Sequence, residues 1–372
     1  MNPEHFLQAA LHKREEQASL RQLRHFENRV DFCSNDYLGL ASSERMGEHI
    51  LRLNEPYSKK HGSGGSRLLS GNDPFIELAE GEIALFHRAA AGLIFNSGYD
   101  ANLGLLSSVP GKHDTVIYDN LAHASIRDGI RLSLAHSYAF AHNDCESLQQ
   151  KLSIAKRGLG EVFVVIESVY SMDGDIAPIE DILQLCQRYN AHLIVDEAHA
   201  TGIVGSRGEG LVQSKGLEND CFARVHTFGK ALGCHGAIVL GSETLKSYLI
   251  NFARSFIYTT ALPPVAVASM LAAYQLFPSM DEERRTIRAH IRKLRSGLND
   301  NLFYSDTPIQ VYNIPGNEAA RTKAGYLQSL GLDVRAILHP TVAKGAERLR
   351  IIIHSFNTDH ELELLIEGLR KN

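Results

Sequence analysis

No run of about 18 apolar residues occurs in the 372-residue chain, so no membrane-spanning helix is expected. The N-terminus, MNPEHFLQAALHKREEQ, turns charged too early for a secretory signal. Histidine is plentiful at 18 residues, yet no HExxH or Cys/His ligand spacing appears, and no metal site is expected. The five cysteines (33, 145, 186, 221 and 234) are scattered and form no CxxC pair, which fits reduced thiols in a cytoplasm. Positive charge is not in excess either. With 38 Lys and Arg against 43 Asp and Glu, the formal net charge of −5 argues against nucleic acid or an anionic membrane as the main partner. Internal repeats and low-complexity segments are absent.

What is present is an ordinary globular balance, 44% apolar and 22% charged. The length predicts one large domain and a smaller one. Residues 4 to 24 read as an amphipathic helix and Val30 to Cys33 as a short strand. Asp73-Pro74 is a helix-start pair, and Phe75, Leu78, Ala79, Leu85 and Phe86 would form that helix's apolar face. Apolar runs then alternate with helical patterns: Leu93 to Phe95, Thr115 to Tyr118, Tyr138 to Ala141, Val162 to Ile166, Leu193 to Val195 and Ala237 to Leu240. This alternation predicts an α/β fold with a mostly parallel sheet covered by helices. Pro263-Pro264 opens a helical region reaching about Leu302. The remaining short strands and two helices suggest a smaller α+β C-terminal domain. The expected division is 1–45 for an entrance segment, 46–270 for the large domain and 271–372 for the small one.

The stretch from Leu193 to Lys230 carries the strongest chemical signal. A buried strand, Leu193-Ile194-Val195, runs into Asp196, Glu197 and His199 in the string DEAHATG, and Lys230 follows in HTFGKALG. Taken singly, such an aspartate is usually a cap or loop residue, and such a lysine a surface one. DEAH also resembles the metal-holding strand of helicase-type ATPases. That reading needs a GxxxxGK[ST] phosphate loop, and neither Gly111-Lys112-His113 nor Gly229-Lys230-Ala231 supplies one. An aspartate at a strand end with a lysine among small residues suits pyridoxal 5′-phosphate instead. That cofactor needs a Schiff-base lysine and an acid to hold its pyridine nitrogen protonated.

Other loops carry supporting groups. Ser97-Gly98-Tyr99 stands where a strand passes into a helix, a place for phosphate or for a plain turn. His123, in DNLAHAS, follows a strand and could stack on a ring, or be only a loop histidine. ESVYSMDGD (167–175) again follows a strand and is dense in small and polar groups. His61 to Asn72 is glycine-rich but lacks the last glycine of a dinucleotide fingerprint, where Arg67 stands.

Nine motifs together resemble the α-oxoamine synthases, within the fold-type I pyridoxal-phosphate enzymes. They are SNDYLGL (34–40), GSGGSRLLSGN (62–72), FNSGYDAN (95–102), HAS (123–125), ESVYSMDGD (167–175), VDEAHATG (195–202), HTFGKALG (226–233), IYTTALPP (257–264) and HPTVAKGAERLRI (339–351). They occur in family order over almost the whole chain. The resemblance implies Lys230 as the Schiff-base lysine and proton carrier, Asp196 on the pyridinium nitrogen, His199 on the phenolic oxygen and His123 on the ring face. It implies Gly98, Tyr99 and Thr227 around the phosphate, Ser171 nearby, and Thr260 reaching the phosphate from a partner subunit of a homodimer. Arg350 would bind the amino acid's carboxylate and Asn35 would line the substrate entrance. The implied activity is decarboxylative condensation of an amino acid, L-alanine, with an acyl thioester, either pimeloyl-CoA or a pimeloyl carrier protein. Sister synthases that use glycine or serine, and a non-catalytic cofactor-binding scaffold, are the alternatives.

Overall fold

The computed structural model describes residues 3–23, 29–156, 158–298, 302 and 305–371. Arg24 and residues 299–301, parts of two expected helices, lie outside them. Among the described residues the chain divides into two compact units. The large one comprises Leu38–Ser171 and Ile176–Arg284; the small one comprises the described residues of Met1–Tyr37, Met172–Asp175 and Arg285–Asn372.

Seven strands build the large unit: β1 (Ala91–Phe95), β2 (Thr115–Asp119), β3 (His136–Phe140), β4 (Val162–Glu167), β5 (His192–Asp196), β6 (Ala223–Thr227) and β7 (Ala237–Gly241). They lie in the order β1-β7-β6-β5-β4-β2-β3. Only β7 runs against its neighbours, and the other pairings are parallel. Because β7 reverses direction between β1 and β6, the strand ends Phe95, Asp119, Glu167, Asp196 and Thr227 share one edge of the sheet. Strands β1 and β4 are buried along their whole length, as strands covered on both faces must be. Leu93, Leu105, Val116, Ile126, Val165, Ile194 and Val225 form part of the core between sheet and helices.

The small unit has a three-stranded antiparallel sheet in which Arg348–Ile352 lies between Arg335–Ile337 and Ile309–Asn313. Helices Asn317–Ser329 and Asp359–Arg370 accompany it. The early segment belongs here because Val30–Asp31 pairs with Leu332–Asp333, and the Phe32 and Tyr37 carbonyls accept from the Ile352 and Ser355 amides. Met172–Asp175 belongs here because the Gly174 carbonyl accepts from Ser305 Oγ and Thr307 Oγ1, each at 2.8 Å. Residues 271–284, expected in the small domain, side with the large unit. Helix Pro264–Leu276 packs on helices Glu44–Asn54 and Pro74–Phe86 there.

Several local expectations need correction. The first helix is His5–Glu16 and buries no residue; the chain leaves it through Ala18 at φ 49°. The first strand stops at Asp31, whose Oδ1 accepts from the Cys33 and Ser34 amides. Third, β3 lies at His136–Phe140, two residues earlier at its start than expected. Pro278 sits in a 3₁₀ turn, Phe277–Ser279, that splits the long helical region, since proline supplies no backbone donor. In helix Pro74–Phe86 the buried face is Phe75, Ile76, Ala79, Glu80, Ile83 and Ala84, so Phe75 and Ala79 lie as expected while Leu78 and Leu85 are 53% and 79% exposed. An acid in the middle of that stripe disguised it.

Glu80 is buried because three donors meet it. Arg67 Nη1 at 2.8 Å, Lys246 Nζ at 3.0 Å and the Ile94 amide at 3.0 Å tie the glycine-rich loop to β1. Glu80→Ala would strand a nearly buried guanidinium. Denaturant unfolding at fixed cofactor concentration should show a loss of about 3 kcal/mol, and a loss under about 1 kcal/mol would count against this clamp.

Candidate active site

Asp196 ends β5 and is buried, so its carboxylate depends on donors brought to it. The Ala198 amide donates to Oδ1 at 2.9 Å and Asn102 Nδ2 to Oδ2 at 2.7 Å. Glu197, the neighbouring acid, is spent on structure: it accepts from Ser168 Oγ at 2.7 Å and from the Leu211 and Val212 amides at 3.0 and 2.6 Å. Of the two acids in DEAH, Asp196 therefore stands at the site and Glu197 fastens a loop.

His123 caps helix Ala124–Leu132 and stays exposed, which leaves a ring face open for stacking. Its Nδ1 meets Ser125 Oγ at 2.8 Å, and Ser125 Oγ in turn accepts from Asn102 Nδ2 at 3.0 Å. Partial desolvation lowers the imidazole pKa and the Lys230 charge adds to this, against the pull of Asp196. The His123 backbone amide donates to Glu167 Oε1 at 2.7 Å. Glu167 ends β4 directly opposite Asp196 in the parallel register. Burial, then the Asp196 charge, raises its pKa to about 8, while Lys230 and the amides of His123 and Ser171 oppose the rise. Near neutral pH this acid keeps its proton. Glu167, His123, Ser125, Asn102 and Asp196 thus form one connected set.

At the other end of the cradle, Ser97 caps helix Gly98–Ser108 by accepting from the Asp100 amide at 3.0 Å. Gly98 comes so close to β6 that a Cβ there would stand 2.4 Å from Thr227 Oγ1. This approach puts a helix N-terminus beside a hydroxyl, a setting suited to phosphate. Lys230 is half-buried three residues beyond Thr227, Ser171 is half-buried and His199 is buried. The Tyr99 side chain is exposed and its hydroxyl donates to Asp128. Thr260 is exposed, and its carbonyl accepts from Asn96 Nδ2 of its own chain at 2.9 Å. In the small unit, Arg350 Nη2 donates to Asn35 Oδ1 at 3.0 Å, which also accepts from Tyr37 OH at 3.3 Å. An acid for a ring nitrogen, an open imidazole face, a phosphate cradle and a lysine fit pyridoxal phosphate. Asn102, Ser125 and Glu167 were missed as site residues. All three sit inside quoted motifs, but nothing in the spacing shows which polar residue of a motif turns inward.

Glu167 gives a pH signature. The folded protein holds this proton more tightly than the unfolded chain, whose value is near 4.5. Its stabilising contribution is therefore complete below that value and is lost as pH rises towards about 8. Glu167→Gln keeps an acceptor for His123 but cannot ionise. In cofactor-free protein, the Tm of the variant relative to the parent should climb between about pH 5 and pH 8; a pH-independent difference would contradict a retained proton.

Residues 27–369 match the aminotransferase class I and II family. The chain is 42% identical to the 8-amino-7-oxononanoate synthase of Emericella nidulans, over 98% of this chain and 94% of the relative. A solved structure of SPT, serine palmitoyltransferase, with pyridoxal phosphate superposes with a TM-score of 0.89 at 26% identity, covering 98% of this chain and 96% of that one. The 8-amino-7-oxononanoate synthase from Francisella tularensis gives 0.79 at 29% identity, over 92% and 97% of the two chains. The chain therefore belongs to the aminotransferase class I and II family, as a fold-type I enzyme of the α-oxoamine synthase kind whose cofactor is pyridoxal 5′-phosphate.

Proposed function

We propose that this enzyme joins L-alanine to a pimeloyl thioester, with loss of carbon dioxide, to give 8-amino-7-oxononanoate for biotin synthesis. The observation that carries this reading is the full-length 42% identity to a synthase of that name, joined to an intact cradle around Asp196. The glycine- and serine-using alternatives share the fold, but the SPT structure stands at 26% identity.

When bound, pyridoxal phosphate supplies an electron sink for bonds broken at the substrate Cα. Asp196, fixed by Asn102 and the Ala198 amide, would present its carboxylate to the cofactor's ring nitrogen. His123 offers its open ring face, held in place through Ser125 and Glu167. Lys230 supplies the Schiff-base amine and carries the proton at Cα. Thr227 and the helix start at Gly98 hold phosphate, His199 bonds the phenolic oxygen, and Ser171 lies beside them. Tyr99 contributes its backbone near the phosphate. Arg350, steadied by Asn35, binds the amino acid's carboxylate as a two-pronged donor.

The reading includes a homodimer in the cytoplasm whose sites draw on both subunits. Large apolar side chains left exposed on the large unit, among them Leu69, Leu132, Leu134 and Phe252, support a second copy. Thr260 serves the partner's phosphate in this reading. The five cysteines are free of one another, and among the described residues no helix is long and apolar enough to cross a membrane.

Three measurements test this. Asp196→Asn should fold and bind cofactor, yet turn over about a hundredfold more slowly; a loss below about fivefold would remove Asp196 from the ring nitrogen. CoA release should be followed over alanine, glycine and serine with pimeloyl, acetyl and palmitoyl thioesters. Alanine with the pimeloyl donor should exceed the same donor with glycine by about tenfold or more in kcat/KM. A serine–palmitoyl optimum would transfer the enzyme to the sister activity, and no CoA release in any cell would favour the scaffold. Finally, Lys230→Ala and Thr260→Glu should each be inactive as dimers confirmed by sizing. Subunit exchange between them should restore part of the activity, and its absence in mixed dimers would return Thr260 to its own chain's site.

A further inference from the structure

In the small unit, residues 32–37 carry Asn35 through bends and a turn, with no strand or helix of their own. They are fixed by strand Arg348–Ile352 and the residues that follow it. The Ile352 and Ser355 amides donate to the Phe32 and Tyr37 carbonyls at 2.9 and 3.0 Å. Between these backbone bonds stands one made by a side chain. His354 Nε2 donates to the Ser34 carbonyl at 2.9 Å and lies 3.3 Å from Ser34 Oγ. Asp31 Oδ2, at 4.0 Å, is too far for a hydrogen bond.

His354 is fully buried, at 0% exposure. Its ring stacks on Phe356 with centroids 4.6 Å apart, and its amide donates to Asn357 Oδ1 at 2.8 Å. Asn357 Nδ2 in turn donates to the Asp31 carbonyl at 3.1 Å. A carbonyl oxygen only accepts, so Nε2 carries the proton of the neutral ring and Nδ1 is the bare nitrogen. Nδ1 is buried with no partner among the described residues. An apolar side chain would avoid that cost, so what the imidazole contributes here is the bond at Nε2.

The Ser34 carbonyl belongs to the planar peptide that joins Ser34 to Asn35. Holding its oxygen holds that plane, and with it the direction in which the Asn35 side chain leaves the backbone. Asn35 Oδ1 accepts from Arg350 Nη2 at 3.0 Å and from Tyr37 OH at 3.3 Å. A guanidinium fork takes a carboxylate most tightly when its plane is set beforehand, because freezing rotamers on binding costs affinity. Arg350 is steadied by Asn35, and Asn35 is steadied through Ser34 by His354.

We propose that His354 is a positioning residue for the amino-acid substrate, fixing the Ser34–Asn35 peptide and thereby the Arg350 fork that receives the carboxylate. This rests on the role given to Arg350 above.

The test uses the full-length, cofactor-loaded enzyme and the absorbance of the bound cofactor, which reports binding without turnover. L-Alanine, glycine and L-serine are titrated into the parent, His354→Leu, His354→Gln, Arg350→Gln and the double variant of His354→Leu with Arg350→Gln. Ethylamine, which is alanine without its carboxylate, is the comparison. His354→Leu should weaken the amino acids about tenfold and ethylamine less than about twofold. His354→Gln offers an amide donor near the position of Nε2 and should recover most of the loss. In the double variant, His354→Leu should add nothing to Arg350→Gln, since both act on one contact. Thermal unfolding is followed for each variant; should His354→Leu not fold, His354→Met, flexible and without a donor, replaces it. Equal weakening of amino acids and ethylamine would leave His354 a packing residue and overturn the proposal. A loss in Arg350→Gln with none in His354→Leu defeats the proposal alone. If Arg350→Gln binds all three amino acids as the parent does, the role of Arg350 fails and the proposal falls with it.

Discussion

A carboxylate taken out of water keeps its charge only where donors converge on it, and the Asp196 carboxylate is the case on which this site depends. One oxygen is held by the amide two residues on, the other by Asn102 from a helix between strands. Asn102 also reaches Ser125, Ser125 holds the His123 ring, and the His123 amide rests on Glu167. Glu167 faces Asp196 across adjacent strands, and two buried negative charges at that spacing would repel strongly. Burial and the neighbouring Asp196 charge therefore favour the protonated form of Glu167.

This division of labour follows from the sheet. Parallel strands deliver their carboxyl ends to one edge, so loops far apart in sequence meet there. The reversed strand β7 preserves the arrangement, because two successive antiparallel pairings bring β1 back into line with β6. That alignment brings Gly98 against Thr227 so closely that no side chain fits between them.

Both units close charged groups within their own fold. In the large unit buried acids are matched by donors: Glu80 has Arg67 and Lys246, and Glu197 has Ser168 and two amides. In the small unit several pairs are likewise closed, including Arg348 with Asp173 and Arg335 with Asp333.

The sequence by itself determined the α/β class, the mostly parallel sheet, and the places of Asp196, His123, Gly98 and Lys230 at or beyond the ends of their strands. Those features are local: an apolar β-branched run makes a buried strand whatever surrounds it, and the residue after it lies at the strand's end. It did not determine which polar residue of a motif turns inward, so Asn102, Ser125 and Glu167 passed unnoticed beside the residues they hold. The face of helix Pro74–Phe86 was legible only in part for the same reason, because Glu80 belongs to the buried face only through Arg67 and Lys246, 13 and 166 residues away. Nor could spacing show that Met172–Asp175 leaves the large unit. Periodicity reads the backbone's neighbours along the chain, whereas burial of charge is settled by partners across it, and those only the tertiary structure brings together.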